Sequence, residues 1–251
     1  MQLYVEETEK LLGQNAAKII AQKIDEAICK NGSARIVLST GASQFETLGA
    51  LVTEDVDWSK VTMFHLDEYV NLPMTHKASF RKYLMDRFVS IVHPAKAYFV
   101  NGEGDIVANI AKLTAALREA PIDVGVIGIG ENAHIAFNDP PANFQTTEAY
   151  MVVTLSERCK LQQLGEGWFK SLSEVPAQAI SMTPYQIMQC KYLVAPVPGK
   201  RKAQAIHDTL AGEHPDPMVP ATLLKTHDHF SLLIDAGSAS LCSRDLLDLY
   251  Q

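Results

Sequence analysis

Short apolar, β-prone runs near 34–39, 61–66, 96–100, 122–128, 178–182, 192–197 and 229–234 recur along the chain, with helix-patterned stretches between them. No other feature constrains the fold so strongly, because strands that alternate with helices pair in parallel and need both sheet faces covered. The helical stretches are 6–29, 45–52, 79–92, 106–120 and 202–210, and in the first of them Leu11, Leu12, Ala16, Ile19, Ile20, Ile24 and Ile28 fall at helical spacing. The pattern predicts an α/β fold: a Rossmann-like open, mostly parallel sheet with helices on both faces. Right-handed crossovers gather successive strand-end loops on one sheet edge. Open sheets of this kind bind ligands in the crevice at that edge.

Three strand ends carry chemistry. The run Ile122 to Ile127 leads into Gly128-Ile129-Gly130-Glu131-Asn132-Ala133-His134, and the loop continues through Asn138 and Asp139 to Pro140. An imidazole among carboxylates and carboxamides offers general acid/base chemistry to a bound molecule; the plainer reading is a capped loop with a surface histidine. The run from Val61 ends in Asp67-Glu68-Tyr69, which is expected to emerge at the carboxyl end of its strand. The run from Ile36 ends in Ser39-Thr40-Gly41-Ala42-Ser43, a hydroxyl-rich turn before a helix. Backbone N–H groups and hydroxyls there would cradle a phosphate or carboxylate, although Ser and Thr before a helix are commonly N-caps.

The chain has 251 residues, 47% of them hydrophobic, enough to bury a full core. With no linker, low-complexity segment or repeat, it reads as one α/β domain over 1–251 with a candidate lid at 156–174; an exposed connector is the alternative for that segment. A net charge of −7 argues against nucleic acid as a partner. No apolar run approaches the length of a membrane span, and Glu6, Glu7 and Glu9 stand where a secretory signal would need basic residues. Cys29, Cys159, Cys190 and Cys242 show neither a disulfide frame nor a zinc pattern, as in a reducing cytoplasm. The expectation is a cytoplasmic protein with no metal.

Together the three strand ends resemble the glucosamine-6-phosphate deaminase (isomerase) family, relatives of the 6-phosphogluconolactonases, and the resemblance covers nearly the whole chain. The family's Thr-Gly phosphate turn is similar to Thr40-Gly41. Its Asp-Glu-Tyr motif is similar to Asp67-Glu68-Tyr69 followed by Leu72-Pro73, and its Gly-His-Ile-Ala-Phe-Asn-Glu-Pro signature to Ala133 through Pro140. Pro198-Gly199-Lys200-Arg201-Lys202-Ala203 resembles the family's strand-to-helix turn with a lysine just inside the helix.

The resemblance implies an enzyme, an isomerase-type hydrolase that converts glucosamine 6-phosphate to fructose 6-phosphate and ammonia in amino-sugar catabolism, without a cofactor. Asp67 is then the proton shuttle and His134 opens the sugar ring. Asp139 orients the imidazole, unless it is only a turn residue before proline. Ser39, Thr40, Gly41, Ala42, Ser43 and Lys202 take the phosphate, with Lys200 and Arg201 as neighbouring candidates for the lysine's role. Relatives also use a lid arginine, and Arg158 is the sole arginine in 156–174. A 6-phosphogluconolactonase-type hydrolase and a non-catalytic sugar-phosphate-binding protein are the alternatives. The partner is a small-molecule sugar phosphate, and a homo-oligomer stays open. The chain departs from the family pattern at Asn132, where relatives have aspartate, at Ala133 for glycine and at Asp139 for glutamate. An amide can fix a tautomer by hydrogen bonding but adds no negative charge to hold a proton on His134.

Overall fold

The computed structural model describes residues 1–250. The chain runs β1 (Gln2–Glu6), α1 (Glu9–Asn31), β2 (Ala34–Leu38), α2 (Phe45–Leu51), β3 (Val61–His65) and β4 (Asp67–Tyr69). Helix α3 (Phe80–Leu84) passes through a π-helical turn (Met85–Val89) into α4 (Ser90–Val92), and β5 (Lys96–Tyr98), α5 (Ile106–Leu117) and β6 (Val124–Val126) follow. Then come β7 (Tyr150–Thr154), α6 (Glu157–Gly165), β8 (Gln178–Met182), α7 (Pro184–Ile187), β9 (Tyr192–Val197), α8 (Ala203–Ala211), β10 (Phe230–Asp235) and α9 (Arg244–Asp248). None of the described helices is long and apolar enough to cross a membrane.

Seven strands form one sheet in the order β1-β10-β9-β6-β2-β3-β5, every neighbouring pair parallel. Side chains alternate across it, as the two-residue period of a strand requires. Ile36, Leu38, Met63 and Val194 face the core under α1 and α2 with Leu12, Ile20, Ile24 and Leu48. Val37, Phe64, Leu193 and Ala195 face the opposite core with Leu113, Leu117, Ile206 and Leu210 of α5 and α8. The predicted class is thus the observed one.

Three elements differ from the sequence pattern. Glu6 does not begin the first helix; it ends β1 (residues 2–6), the edge strand, with Leu3 opposite Leu232. The helix starts only at Glu9, because Thr8 Oγ1 accepts the Leu11 N–H at 3.2 Å and caps it. Leu11, counted in the apolar stripe, is exposed. Asp67-Glu68-Tyr69 is not a loop at a strand end. It is β4, and with β8 and β7 it makes a separate antiparallel three-stranded sheet, Asp67 opposite Ser181. The 178–182 run therefore lies outside the main sheet.

Glu68 holds this second sheet to the first helix beyond it. Its carboxylate, fully buried, accepts from Tyr69 N (2.9 Å), Ser79 Oγ (2.7 Å), Phe80 N (3.2 Å), Arg81 N (2.8 Å) and Arg81 Nε (3.3 Å), so it caps the start of α3 and pairs with a buried guanidinium. Arg81 also reaches Leu72 O, Asn101 Oδ1 and Glu103 Oε2. Removing one partner of such a pair strands the other in low dielectric. Glu68→Ala is expected to lower stability by about 3–5 kcal/mol in urea unfolding; a loss under about 1 kcal/mol would show that α3 is not anchored by this carboxylate.

Candidate functional site

From β2 the chain builds outward through β3 and β5 on one side; from β6 it builds through β9 and β10 on the other. The order reverses between β2 and β6, which leaves a crevice beyond their carboxyl ends, where no crossover covers the sheet edge. Ser39, Thr40, Gly41 and Ser43 after β2, Gly128, Gly130 and His134 after β6, Asp67 of β4 and Lys202 after β9 line one cleft there. Of the residues the sequence singles out, Ala42 lies in a neighbouring depression. Asn132 and Asp139 stand behind His134 and not on the cleft wall.

His134 is buried, and its Nδ1 lies 2.5 Å from Asn132 Oδ1 and 3.2 Å from Asp139 Oδ1. Asn132 Nδ2 donates to the same Asp139 oxygen at 3.0 Å, which fixes the amide with its Oδ1 toward the ring. Both neighbours of Nδ1 are acceptors, so Nδ1 carries the proton and Nε2 keeps its lone pair in the neutral ring. Burial would raise the Asp139 carboxyl, yet hydrogen bonds from His134, Asn132 and Ser156 hold it well below the ordinary carboxylate range. Asn132 therefore touches the imidazole and relays Asp139 to it, a role no turn cap would have.

Adjacent carboxyls in β4 have opposite surroundings. Burial raises Glu68 as well, but five donors work to keep it charged. Among the described residues Asp67 has no side-chain hydrogen bond; burial, with Glu68 beside it, pushes it from 3.8 up to about 8. A carboxyl poised near neutral pH in a cleft is suited to proton transfer.

On the same cleft, Gly41 (φ 104°) turns the chain out of β2 so that Thr40 and Ser43 flank the opening of a 3₁₀ turn. Ser39 Oγ there is buried with no partner among the described residues. Three basic residues follow β9, and the fold separates them: Lys200 and Arg201 are exposed while Lys202 is buried against the cleft. Burial pushes the Lys202 ammonium down, against Glu166 and Glu131, which raise it. A buried cation, an orphan hydroxyl and the backbone N–H groups at the start of a 3₁₀ turn fit an anionic group.

The 156–174 segment brings two amides and a carboxylate to the cleft. Gln162, Gln163 and Glu166 of α6 and the turn after it line the wall. Gln163 Oε1 accepts from Tyr69 OH at 2.7 Å, and Gln162 Oε1 accepts from Glu131 N at 3.3 Å. Trp168 packs edge-on against Phe45, and Lys77 Nζ donates to Gly167 O at 3.0 Å. Arg158, the arginine singled out from sequence, points outside: it is exposed and lines two surface depressions, not the cleft. The missed residues had one local signal, Cys159, Gln163 and Glu166 recurring at one helical face.

The fold and cleft define an open α/β protein with acid/base groups and an anion cradle at its switch point. The chain belongs to the family of glucosamine-6-phosphate isomerases and 6-phosphogluconolactonases, whose pattern matches residues 7–233. It is 35% identical to the glucosamine-6-phosphate deaminase of Clostridium botulinum, across 96% of both chains. It is 33% identical to that of Halothermothrix orenii, across 96% of this chain and 100% of the relative. Among solved structures it is similar to a monomeric glucosamine-6-phosphate deaminase, with a TM-score of 0.86, 30% identity, and 96% and 100% of the two chains covered. A 6-phosphogluconolactonase from Shewanella baltica shares the fold (TM-score 0.78, 19% identity, 94% and 98% covered).

Gly130 sets the position of the imidazole. A Cβ there would stand 2.1 Å from His134 Cε1 and 2.3 Å from Nε2, far inside van der Waals contact. Gly130→Ala is expected to displace the ring and lower kcat by on the order of 100-fold while the protein stays folded by circular dichroism. Wild-type kcat in the folded variant would show that the ring's seat on Gly130 is not needed.

Proposed function

We propose that the chain is a glucosamine-6-phosphate deaminase: it isomerises glucosamine 6-phosphate and, with one water consumed, releases fructose 6-phosphate and ammonia. The observation that carries this reading is Asp67, buried, without a side-chain partner among the described residues and pushed up to about 8, on the same cleft as His134, whose Nδ1 is held by Asn132. The name borne by relatives at 33–35% identity supports it.

In this reading the phosphate sits on Thr40, Gly41 and Ser43 with Lys202 as its counter-ion, and the sugar lies across the cleft toward Asp67. His134 Nε2 exchanges a proton with the ring oxygen and opens the pyranose, its charged form stabilised by Asp139 through both direct contact and Asn132. Asp67 then takes the proton from C2 and returns it at C1, turning the amine-bearing carbon into one that water hydrolyses with loss of ammonia. In this reading that last step is a hydrolysis that follows an isomerisation. Lactone hydrolysis would need a base to activate water but gives Asp67 nothing to do. Ammonia and ketohexose phosphate release, measured side by side with glucosamine 6-phosphate, galactosamine 6-phosphate and 6-phosphogluconolactone, tests the reading. Acid without ammonia would replace it with the lactonase.

Asp67→Asn keeps shape but cannot accept the C2 proton, so kcat should fall by ~10²-fold or more with KM little changed. In the wild type kcat/KM should climb as pH approaches about 8, where the shuttle ionises. Stability should move the other way. The folded carboxyl (about 8) holds its proton more tightly than the unfolded one (3.8), so its contribution is complete below the unfolded value and is lost as pH rises through the folded one. Urea midpoints of Asp67→Asn should show less of that decline, and identical slopes would refute the burial account.

Lys202→Ala should raise KM for the phosphorylated substrate by more than about tenfold and leave kcat nearly intact, because the contact is equal in ground and transition states. Lys200→Ala, at an exposed site, is the control. Damage from that variant instead would place the cation wrongly.

A further inference from the structure

Helix α6 begins on the acid that orients His134. Ser156, its N-cap residue, accepts from Cys159 N through Oγ at 3.1 Å and donates from the same hydroxyl to Asp139 Oδ2 at 2.7 Å. Ser156 N lies 3.4 Å from that oxygen too. The other Asp139 oxygen faces His134 Nδ1 and Asn132 Nδ2. A serine hydroxyl has one proton and two lone pairs. Capping uses only a lone pair, so the proton given to Asp139 serves no helical purpose.

The rest of the helix reaches the same machinery. Gln162 holds the backbone of the His134 loop at Glu131, and Gln163 holds Tyr69, two residues beyond Asp67 in the same strand. With Gln162, Gln163 and Glu166 on the cleft wall, seating the helix covers the cleft.

We propose that Ser156 is a positioning residue that couples the seating of α6 over the cleft to the orientation of Asp139, and through Asp139 and Asn132 to the Nδ1-protonated tautomer of His134. A helix lifted from the cleft withdraws two donors from Asp139, so the imidazole is set for proton transfer only when the cleft is covered and water is excluded. The catalytic consequence rests on the deaminase reading; the effect on the imidazole does not.

The test uses the full chain with Ser156→Ala, Ser156→Thr and Ser156→Asp. Aspartate still caps the helix but, ionised, repels Asp139 instead of donating to it, so it keeps the cap and breaks the link. Turnover of glucosamine 6-phosphate is measured together with the side-chain Nδ1–H resonance of His134 in the ligand-free protein, assigned by its loss in His134→Gln. Ser156→Ala and Ser156→Asp should lower kcat by on the order of 10- to 100-fold, with KM within about threefold, and should shift or broaden the resonance. Ser156→Thr should restore both. A raised KM with kcat and the resonance unchanged would reduce Ser156 to a helix cap, and wild-type behaviour of Ser156→Asp would do the same. If Ser156→Ala fails to fold, Ser156→Asp against Ser156→Thr decides. A wild-type chain that releases no ammonia would sink the deaminase reading, and the resonance would still judge the coupling.

Discussion

The parallel pairing of β2 with β6 is the constraint on which the site depends. Chain segments leave this pair in opposite directions, so the loops after Leu38 and Val126 part over the sheet edge and no crossover fills the gap. Parallel strands cannot be joined by a tight turn. The connections must pack as helices on the two faces, and the apolar alternation of Ile36, Val37 and Leu38 feeds both cores at once. Burial on two faces is what makes the central strands rigid enough to hold Ser39 and Gly128 at fixed places.

Around that crevice, buried charge is divided according to the donors available. Glu68 and Asp67 are neighbours in one strand, yet the strand's two-residue period sends one toward the start of α3 and the other toward the cleft. The first meets five donors and becomes a strut. The second meets none among the described residues and is left as a carboxyl that holds its proton well above the ordinary range. The same division separates Lys202 from Lys200 and Arg201: only the residue turned inward loses its water.

Substitution of an amide for an acid at Asn132 does not isolate His134 from negative charge. Asp139 reaches the ring directly at 3.2 Å and again through the amide, whose two ends are a donor to the carboxylate and an acceptor from Nδ1. Ser156 completes the carboxylate's shell, and with it the helix above becomes part of the histidine's support.

Much of the fold was legible in the sequence because its causes are local. Period-two apolar runs, helical stripes and strand-end turns need only a few neighbouring residues, and they determined the parallel α/β class and brought Asp67, His134 and the Ser39–Ser43 turn into view. Tertiary structure decided what depends on distant partners. β1 shows too little alternation to be read as a strand until Leu3 meets Leu232, and β4 is three residues that become a strand only against β8. Arg158 and Gln163 lie on one short helix, ranked only by the weak face that Gln163 shares with Cys159 and Glu166, and packing turned the arginine to solvent and the glutamine to Tyr69. Residue type and local period say what chemistry a side chain can perform; desolvation and long-range hydrogen bonds, which exist only once the chain is packed, select the ones that perform it.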